Sequence, residues 1–319
     1  MPAEQRSLSH PCIALSIWII AGLFWNTSAD AAQRDRVFVA SYGSDSNPCT
    51  FGSPCKTFQQ AVDVVAPGGE VTAIDSAGFG PVAISKSVTI TSPNGVEAGI
   101  AAPAGGDAID ITGSSLYVYL HGLTLEGANS AANGIKVSGA SSGDVVIDID
   151  DCFIQDYTNY GIDFDIGTVG ELTITNSHFI KNAYSLYILS PANTYVTLDH
   201  DTFASDTNGI IAQASNAPID LTVANSVFSG CNVAIEVSGD ASNIVADVRL
   251  YNLVLQGNNY SIDMFANVNV SLSYVNDMHS SNSLYFDSPT NINVVSDGTS
   301  HVFLAGPNAP GSLGSYPFK

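Results

Sequence analysis

The chain repeats itself roughly every 25 residues after Gly105, and that repeat limits the folds open to it more than any other feature. AIDI, GIKV, GIDF, SLYI, GIIA, AIEV, SIDM and SLYF occupy equivalent places, beginning at Ala108, Gly134, Gly161, Ser185, Gly209, Ala234, Ser261 and Ser283. Their aligned apolar residues are Ile109, Ile135, Ile162, Leu186, Ile210, Ile235, Ile262 and Leu284, spaced 22 to 27 apart. About half a period away lies a second motif: LTITNSHF from Leu172, VTLDHDTF from Val196, LTVANSVF from Leu221, VRLYNLVL from Val248 and LSYVNDMH from Leu272. A fixed period of this size predicts a solenoid.

Within each unit the apolar residues alternate, as in Ile162, Phe164, Ile166 and in Leu172, Ile174. Period two means strands. The segments are short, rich in Val, Ile, Thr and Tyr, and separated by Asn, Gly, Ser and Asp, with no helical pattern between them. The expectation is an all-β chain: a single-stranded parallel β-helix, each strand paired with its counterpart one coil away, about 4.8 Å distant. A leucine-rich repeat would need helix formers opposite its strand, and a β-sandwich would not keep this register. Each coil buries its apolar face only against its neighbours, so several are needed and the ends need caps.

One polar row falls where alternation predicts inward residues: Asp151, Asn176, Asp201, Asn225, Asn252 and Asn276. Asn at a tight turn bonds nearby backbone and tolerates positive φ. The row is therefore expected to be a structural ladder, with Asn176, Asn225, Asn252 and Asn276 as its core. Phe179, Phe203 and Phe228, with Leu255 after them, are expected to stack inward.

Residues 71–300 are assigned to the β-helix, 32–70 to an N-terminal strand, loop and capping helix, 301–319 to a C-terminal tail, and 1–31 to a signal peptide. The leader reading rests on the uncharged run Cys12–Trp25, the preceding Arg6 and His10, and Ala29-Asp30-Ala31 as a cleavage pattern. No second run of spanning length follows. A secreted, periplasmic or extracellular monomer, off the membrane after cleavage, is the expectation. The cap is read from FVAS, a polar turn, and KTFQQAVDVV, where Phe58, Ala61, Val62 and Val65 share one helical face. Pro54 suits the helix start, and Pro67-Gly68-Gly69 its end.

The segment FVASYGSDSNPCTFGSPCKTFQQAVDVVAPGGEV resembles the N-terminal segment of secreted right-handed parallel β-helix proteins of the pectin-lyase-like superfamily. That segment runs G-S-D-S-N-P-G-T, then P-F-K-T-I-Q-x-A, then P-G-D. The resemblance is strong over Val37–Val71 and architectural up to about Ser300. It implies the right-handed fold and export, but not an activity. Cys49 and Cys55 stand where the family often has Gly and Phe, and two such replacements flanking a short loop imply a disulfide, which suits an exported protein. A metal pair is the other reading of C-x5-C, with no His or further Cys near it in sequence. Cys152 and Cys231, three coils or about 14 Å apart, are expected to be buried thiols rather than a bridge.

The formal net charge of −21, with nine Lys and Arg against thirty Asp and Glu, excludes nucleic acid and anionic membrane as partners. Among outward rows, Tyr119, Asp148, Thr173, Thr197, Thr222, Arg249, Ser273 runs beside His121, Asp150, Thr175, Asp199, Ala224, Tyr251. His121, Asp148, Asp150 and Asp199 are therefore the candidate catalytic residues. By strand rise and spacing, Asp148 and Asp150 stand about 6.6 Å apart and Asp150 and Asp199 about 9.6 Å. Inverting glycosidases hold their two carboxyls at about 6.5 to 9.5 Å. A solvated acidic face is the plainer reading. A third outward row, Asp110, Lys136, Asp163, Tyr187, Ile211, Glu236, Asp263, Tyr285, has no assigned role. A uronate lyase would need a base and a cation, and the polygalacturonase pattern is not met, since G-H-G and R-I-K are missing beside Asp150-Asp151. The resemblance thus carries over no catalytic residue. The expected function is that of a carbohydrate-binding or cell-surface structural protein without catalysis, its partner a polysaccharide or cell-surface glycan; the alternative is a polysaccharide hydrolase, or less favoured a lyase. No resident cofactor or metal is expected, with Ca²⁺ left open for the lyase.

Overall fold

The computed structural model describes residues 34–140, 142–240, 244–287, 291–306, 308–309 and 314–315. The expected leader, residues 1–31, lies outside them.

Short strands wind into three parallel sheets of twelve, ten and nine strands, stacked as a parallel β-helix. One coil shows the rule. Leu116–His121 lies in the twelve-stranded sheet, Leu123–Glu126 in the nine-stranded sheet, Asn133–Ser138 in the ten-stranded sheet, and Val145–Asp150 returns to the first. Alternation sends one side chain in and the next out, so the core is a column. Ile109, Ile135, Ile162, Leu186, Ile210, Ile235, Ile262 and Leu284 pair in unbroken register along it. Phe179, Phe203 and Phe228 stack ring on ring at 4.8 and 4.5 Å, within 4° of parallel, and Leu255 continues the row.

The turn leaving the twelve-stranded sheet is where the polar row was expected, and there the structure corrects the alignment. The left-handed residues are Asp151, Asn176, His200, Asn225, Asn252 and Tyr274. Asn225 accepts from Asn252 at 2.7 Å, while Asn176 and Asn225 donate to Asp150 and Asp199. These asparagines are exposed or half-exposed, not inward. Asn276 is not among them: it is a strand residue paired with Val254 and bridged to His301. The last long coil is two residues shorter than assumed, and a slip of two preserves inside–outside parity, so alternation could not expose it. The same slip places Ser271, not Ser273, beside Arg249. Asp201 sits one residue beyond the turn and is buried.

The inward polar rows lie elsewhere. The Cys152 N–H donates to Ser177 Oγ, the Ser177 N–H to Asp201 Oδ1, and the Asp201 N–H to Ser226 Oγ, at 3.2, 2.8 and 3.0 Å. At the next turn, the Tyr157 N–H donates to Asn182 and the Asn182 N–H to Asp206; further along, the Cys231 N–H donates to Asn258. Each satisfies a backbone group that the tight turn leaves without a sheet partner. Cys152 and Cys231 are free, buried, and in different rows; burial pushes both thiols up to about 12.

At the N-terminal end the helix spans Phe58–Val64, burying Phe58, Ala61 and Val62, with Thr57 as N-cap accepting from the Gln60 N–H. It stops before Pro67: Val65 opens the strand Val65–Ala73, which carries Pro67-Gly68-Gly69 within it. Cys49 and Cys55 form a disulfide, with Cα atoms 4.6 Å apart. The neighbouring motif is structural. A Cβ on Gly43 would lie 2.0 Å from the Cys55 carbonyl oxygen. Asp45 accepts from the backbone N–H groups of Lys56 and Thr57, both at 2.9 Å. Sheet pairing continues past residue 300, with Leu304–Ala305 on Leu284–Tyr285 and Gly314–Ser315 on Val295–Ser296.

Candidate functional site

Outward side chains of the twelve-stranded sheet form two neighbouring rows. One runs Tyr119, Asp148, Thr173, Thr197, Thr222, Arg249; the other His121, Asp150, Thr175, Asp199, Ala224, Tyr251. Asp148 and Asp150 stand on one strand, Val145–Asp150, so both point outward with Ile149 turned in between them. With Tyr119, Glu171, Thr173 and Thr175 they line a shallow hollow of about 490 Å³.

Donors converge on Asp150. His121 Nδ1 lies 3.0 Å from Oδ2. Thr175 Oγ1 and Asn176 Nδ2 donate to Oδ1 at 2.8 and 2.9 Å. Partial burial works against charge on this carboxyl, but hydrogen bonds from Asn176, Thr175 and His121 outweigh it and hold Asp150 below its ordinary range. It is a fixed acceptor. Asp148 accepts from the Tyr117 hydroxyl at 2.8 Å, and that bond, with burial, raises the phenol.

Three of the four nominated residues thus meet: His121 touches Asp150, and Asp148 shares its hollow. Asp199 does not join them. It lies two coils along the row, beyond Thr175, held by Asn225 at 2.6 Å and its neighbour His200 at 3.0 Å. Glu171, which lines the hollow, escaped the sequence reading; its signal was an outward position two residues before Thr173.

The outer face of the ten-stranded sheet follows the row Asp110, Lys136, Asp163, Tyr187, Ile211, Glu236, Asp263, Tyr285. Asp163 and Asp263 are half-buried there, and burial, followed by Asp165 for the first and Glu236 for the second, pushes each up to about 6. Tyrosine rings flank both. The sequence signal was the recurrence of Tyr-x-Ile-Asp at 160–163 and 260–263. Among the described residues, no group of three or more His, Cys, Asp and Glu converges as metal ligands would, so none is assigned to Ca²⁺. Among them, too, no helix is long and apolar enough to cross a membrane.

The chain has the pectin-lyase-like right-handed parallel β-helix fold. Its structure is similar to that of pectate lyase Pel9A, at 15% identity and TM-score 0.52 over 88% of this chain and 82% of the other. It is also similar to the polygalacturonase of Erwinia carotovora ssp. carotovora, at 11% identity and TM-score 0.50 over 95% of this chain and 100% of the other. No family model matches the sequence, and no curated protein matches it. At these identities the likeness defines the fold alone.

Proposed function

We propose that the chain is an exported β-helix protein that binds carbohydrate, free or at a cell surface, on the outer face of its twelve-stranded sheet, without cleaving it. The observation that carries this reading is the in-register stack Thr173, Thr197, Thr222 beside Asp150, Thr175 and Asp199. The stack repeats hydroxyl and carboxylate groups about every 4.8 Å on a flat surface. Sugar hydroxyls need such alternating donors and acceptors, and the exposed rings of Tyr117 and Tyr195 on the same face offer apolar contact. Asp150, bonded by Tyr119, His121, Thr175 and Asn176, is held as a charged anchor for this face and is poorly suited to act as a general acid. Export is supported by the N-terminal run and by the Cys49–Cys55 bond. A glycan array with the secreted protein should show binding, and incubation with the bound glycan should release no new reducing ends. Absence of binding to any glycan or cell-surface material would remove this reading.

The second reading is hydrolysis by Asp148 and Asp150, favoured by the hollow between them. Reducing-end release lost in Asp148→Asn or Asp150→Asn would establish it. Release that survives both, and Asp199→Asn as well, would place catalysis elsewhere.

A further inference from the structure

One constellation is built twice on the outer face of the ten-stranded sheet. Tyr160 and Asp163 share a strand, and Tyr187 is Asp163's partner on the next strand. Tyr260 and Asp263 share a strand in the same way, and Tyr285 is Asp263's partner on the next. The sequence repeats accordingly, YGID then SLY and YSID then SLY. The coils between break the pattern, with Asn208 and Ile211, then Val233 and Glu236, in the equivalent places. Four strand steps of about 4.8 Å separate the copies, roughly 19 Å along the solenoid axis.

Each copy sets one half-buried carboxyl beside two phenol rings. The Tyr160 and Tyr187 rings lie 4.8 Å apart at 25°, and those of Tyr260 and Tyr285 lie 4.9 Å apart at 77°. A carboxylate beside aromatic rings is what an ammonium group recognises: the full charge meets the carboxylate, and a ring whose face it reaches adds its quadrupole. Asp263 Oδ1 is buried without a hydrogen-bond partner, which leaves the outer oxygen of that carboxyl as the one an incoming N–H would meet. Acids gather around both copies, Asp165 at the first and Glu236 and Asp287 at the second, with Lys136 the cation beside Asp163. Both carboxyls are held above their ordinary range by burial and then by these acids, a cost that a bound cation would relieve. A polyuronate would be repelled by the same charges.

We propose that the two copies are paired subsites for a linear glycan bearing free amino groups, one ammonium at each aspartate. That the polymer is a sugar rests on the carbohydrate-binding reading above; that it is cationic, and that it spans both copies, rests on this face alone. A basic peptide would satisfy the charge, but the Tyr160 and Tyr187 rings, 25° apart, offer an apolar surface that a pyranose ring also uses, and the edge-on Tyr260 and Tyr285 rings offer an apolar corner.

The test is calorimetric binding near neutral pH of a glucosamine dimer, a glucosamine octamer, the fully N-acetylated octamer and an oligolysine. The octamer should bind on the order of 10²-fold tighter than the dimer, because the second contact becomes intramolecular. Tyr187→Ala, Asp163→Asn, Tyr285→Ala or Asp263→Asn should each bring it down to the dimer's affinity, with unchanged thermal melts showing that the variants fold. N-acetylation should cost tenfold or more. If the acetylated octamer binds as tightly as the free amine, the ammonium assignment is wrong while carbohydrate binding stands. If oligolysine binds as well as the octamer and ignores the tyrosine variants, the face is a diffuse negative surface and the proposal is overturned. If no glycan binds here or on the array, both readings fall together.

Discussion

Asp201 and Asp206 sit inside the solenoid, each with one oxygen bonded to a neighbouring backbone N–H and Oδ2 buried without a partner. Burial, first among the causes, pushes Asp201 up to about 8 and Asp206 up to about 7. The sign of the consequence follows from proton linkage. Between the ordinary carboxyl value of 3.8 and these raised values, the folded chain holds protons that the unfolded chain has released. Stability therefore falls as pH rises through that window, by about 1.4 kcal/mol per pH unit for each group while it lasts. Denaturant melts should show a more stable protein at pH 5 than at pH 7.5. Asp201→Asn, which keeps the acceptor for the Ser177 N–H, should flatten the slope; an unchanged slope would mean that Asp201 is ionised in the fold. Asp150 behaves oppositely, because donors depress it, so its contribution is lost only as pH falls below the ordinary carboxyl range.

At the scale of strands and turns, the register can be tested by two substitutions in neighbouring elements. Phe203 is fully buried between Phe179 and Phe228. Phe203→Ala should cost about 3 to 5 kcal/mol. Thr197 is exposed, and Thr197→Ala should cost about 0.5 kcal/mol or less. Equal damage in urea melts would overturn the inward and outward assignments. At the turn, Asn225 holds φ 49° and links Asp199 to Asn252. Asn225→Ala should cost roughly 1 to 2 kcal/mol through the left-handed backbone, and Asn225→Gly less; Ala melting as high as Gly would remove backbone strain as the cause. These elements also show what was legible in the sequence. Strand alternation and the isoleucine column could be read directly, because every coil repeats them. The turn residue could not be read throughout, because His200 and Tyr274 occupy it without resembling Asn. The inward Ser177, Asn182 and Ser226 were also missed, since polar residues beside a turn look solvent-facing until the coil closes. Of the site, the aspartate rows were legible from register, whereas the donors around Asp150 come from the two flanking strands and the turn beyond, and required the fold.

For the whole molecule, coils touch mainly their neighbours, so damage at one end should stay there. Mass mapping of secreted, non-reduced protein, which on the leader reading has lost Cys12, should find a peptide linking Cys49 to Cys55, with only Cys152 and Cys231 labelled after unfolding. In Cys49→Ser with Cys55→Ser, hydrogen exchange should quicken in 34–91 and hold steady around Phe203. Uniform acceleration along the chain would show that the solenoid unfolds as one unit instead.

The disulfide loop does more than hold the cap. The Phe38 N–H donates to the Cys49 carbonyl, the Cys55 N–H to the Phe38 carbonyl, and the Ala40 N–H to the Cys55 carbonyl. These bonds occupy the outer side of Arg34–Val39, the first strand of the twelve-stranded sheet. A parallel sheet grows by offering one edge to the next strand, and a stack of like coils would accept another chain's end as readily as its own. Such head-to-tail addition never closes and ends in fibres. The loop thus covers that edge, closed by a bond whose persistence depends on an oxidising compartment. A chain with Cys49 and Cys55 reduced should hold that cover less firmly, and light scattering of reduced against oxidised protein would show whether the edge then recruits a second copy.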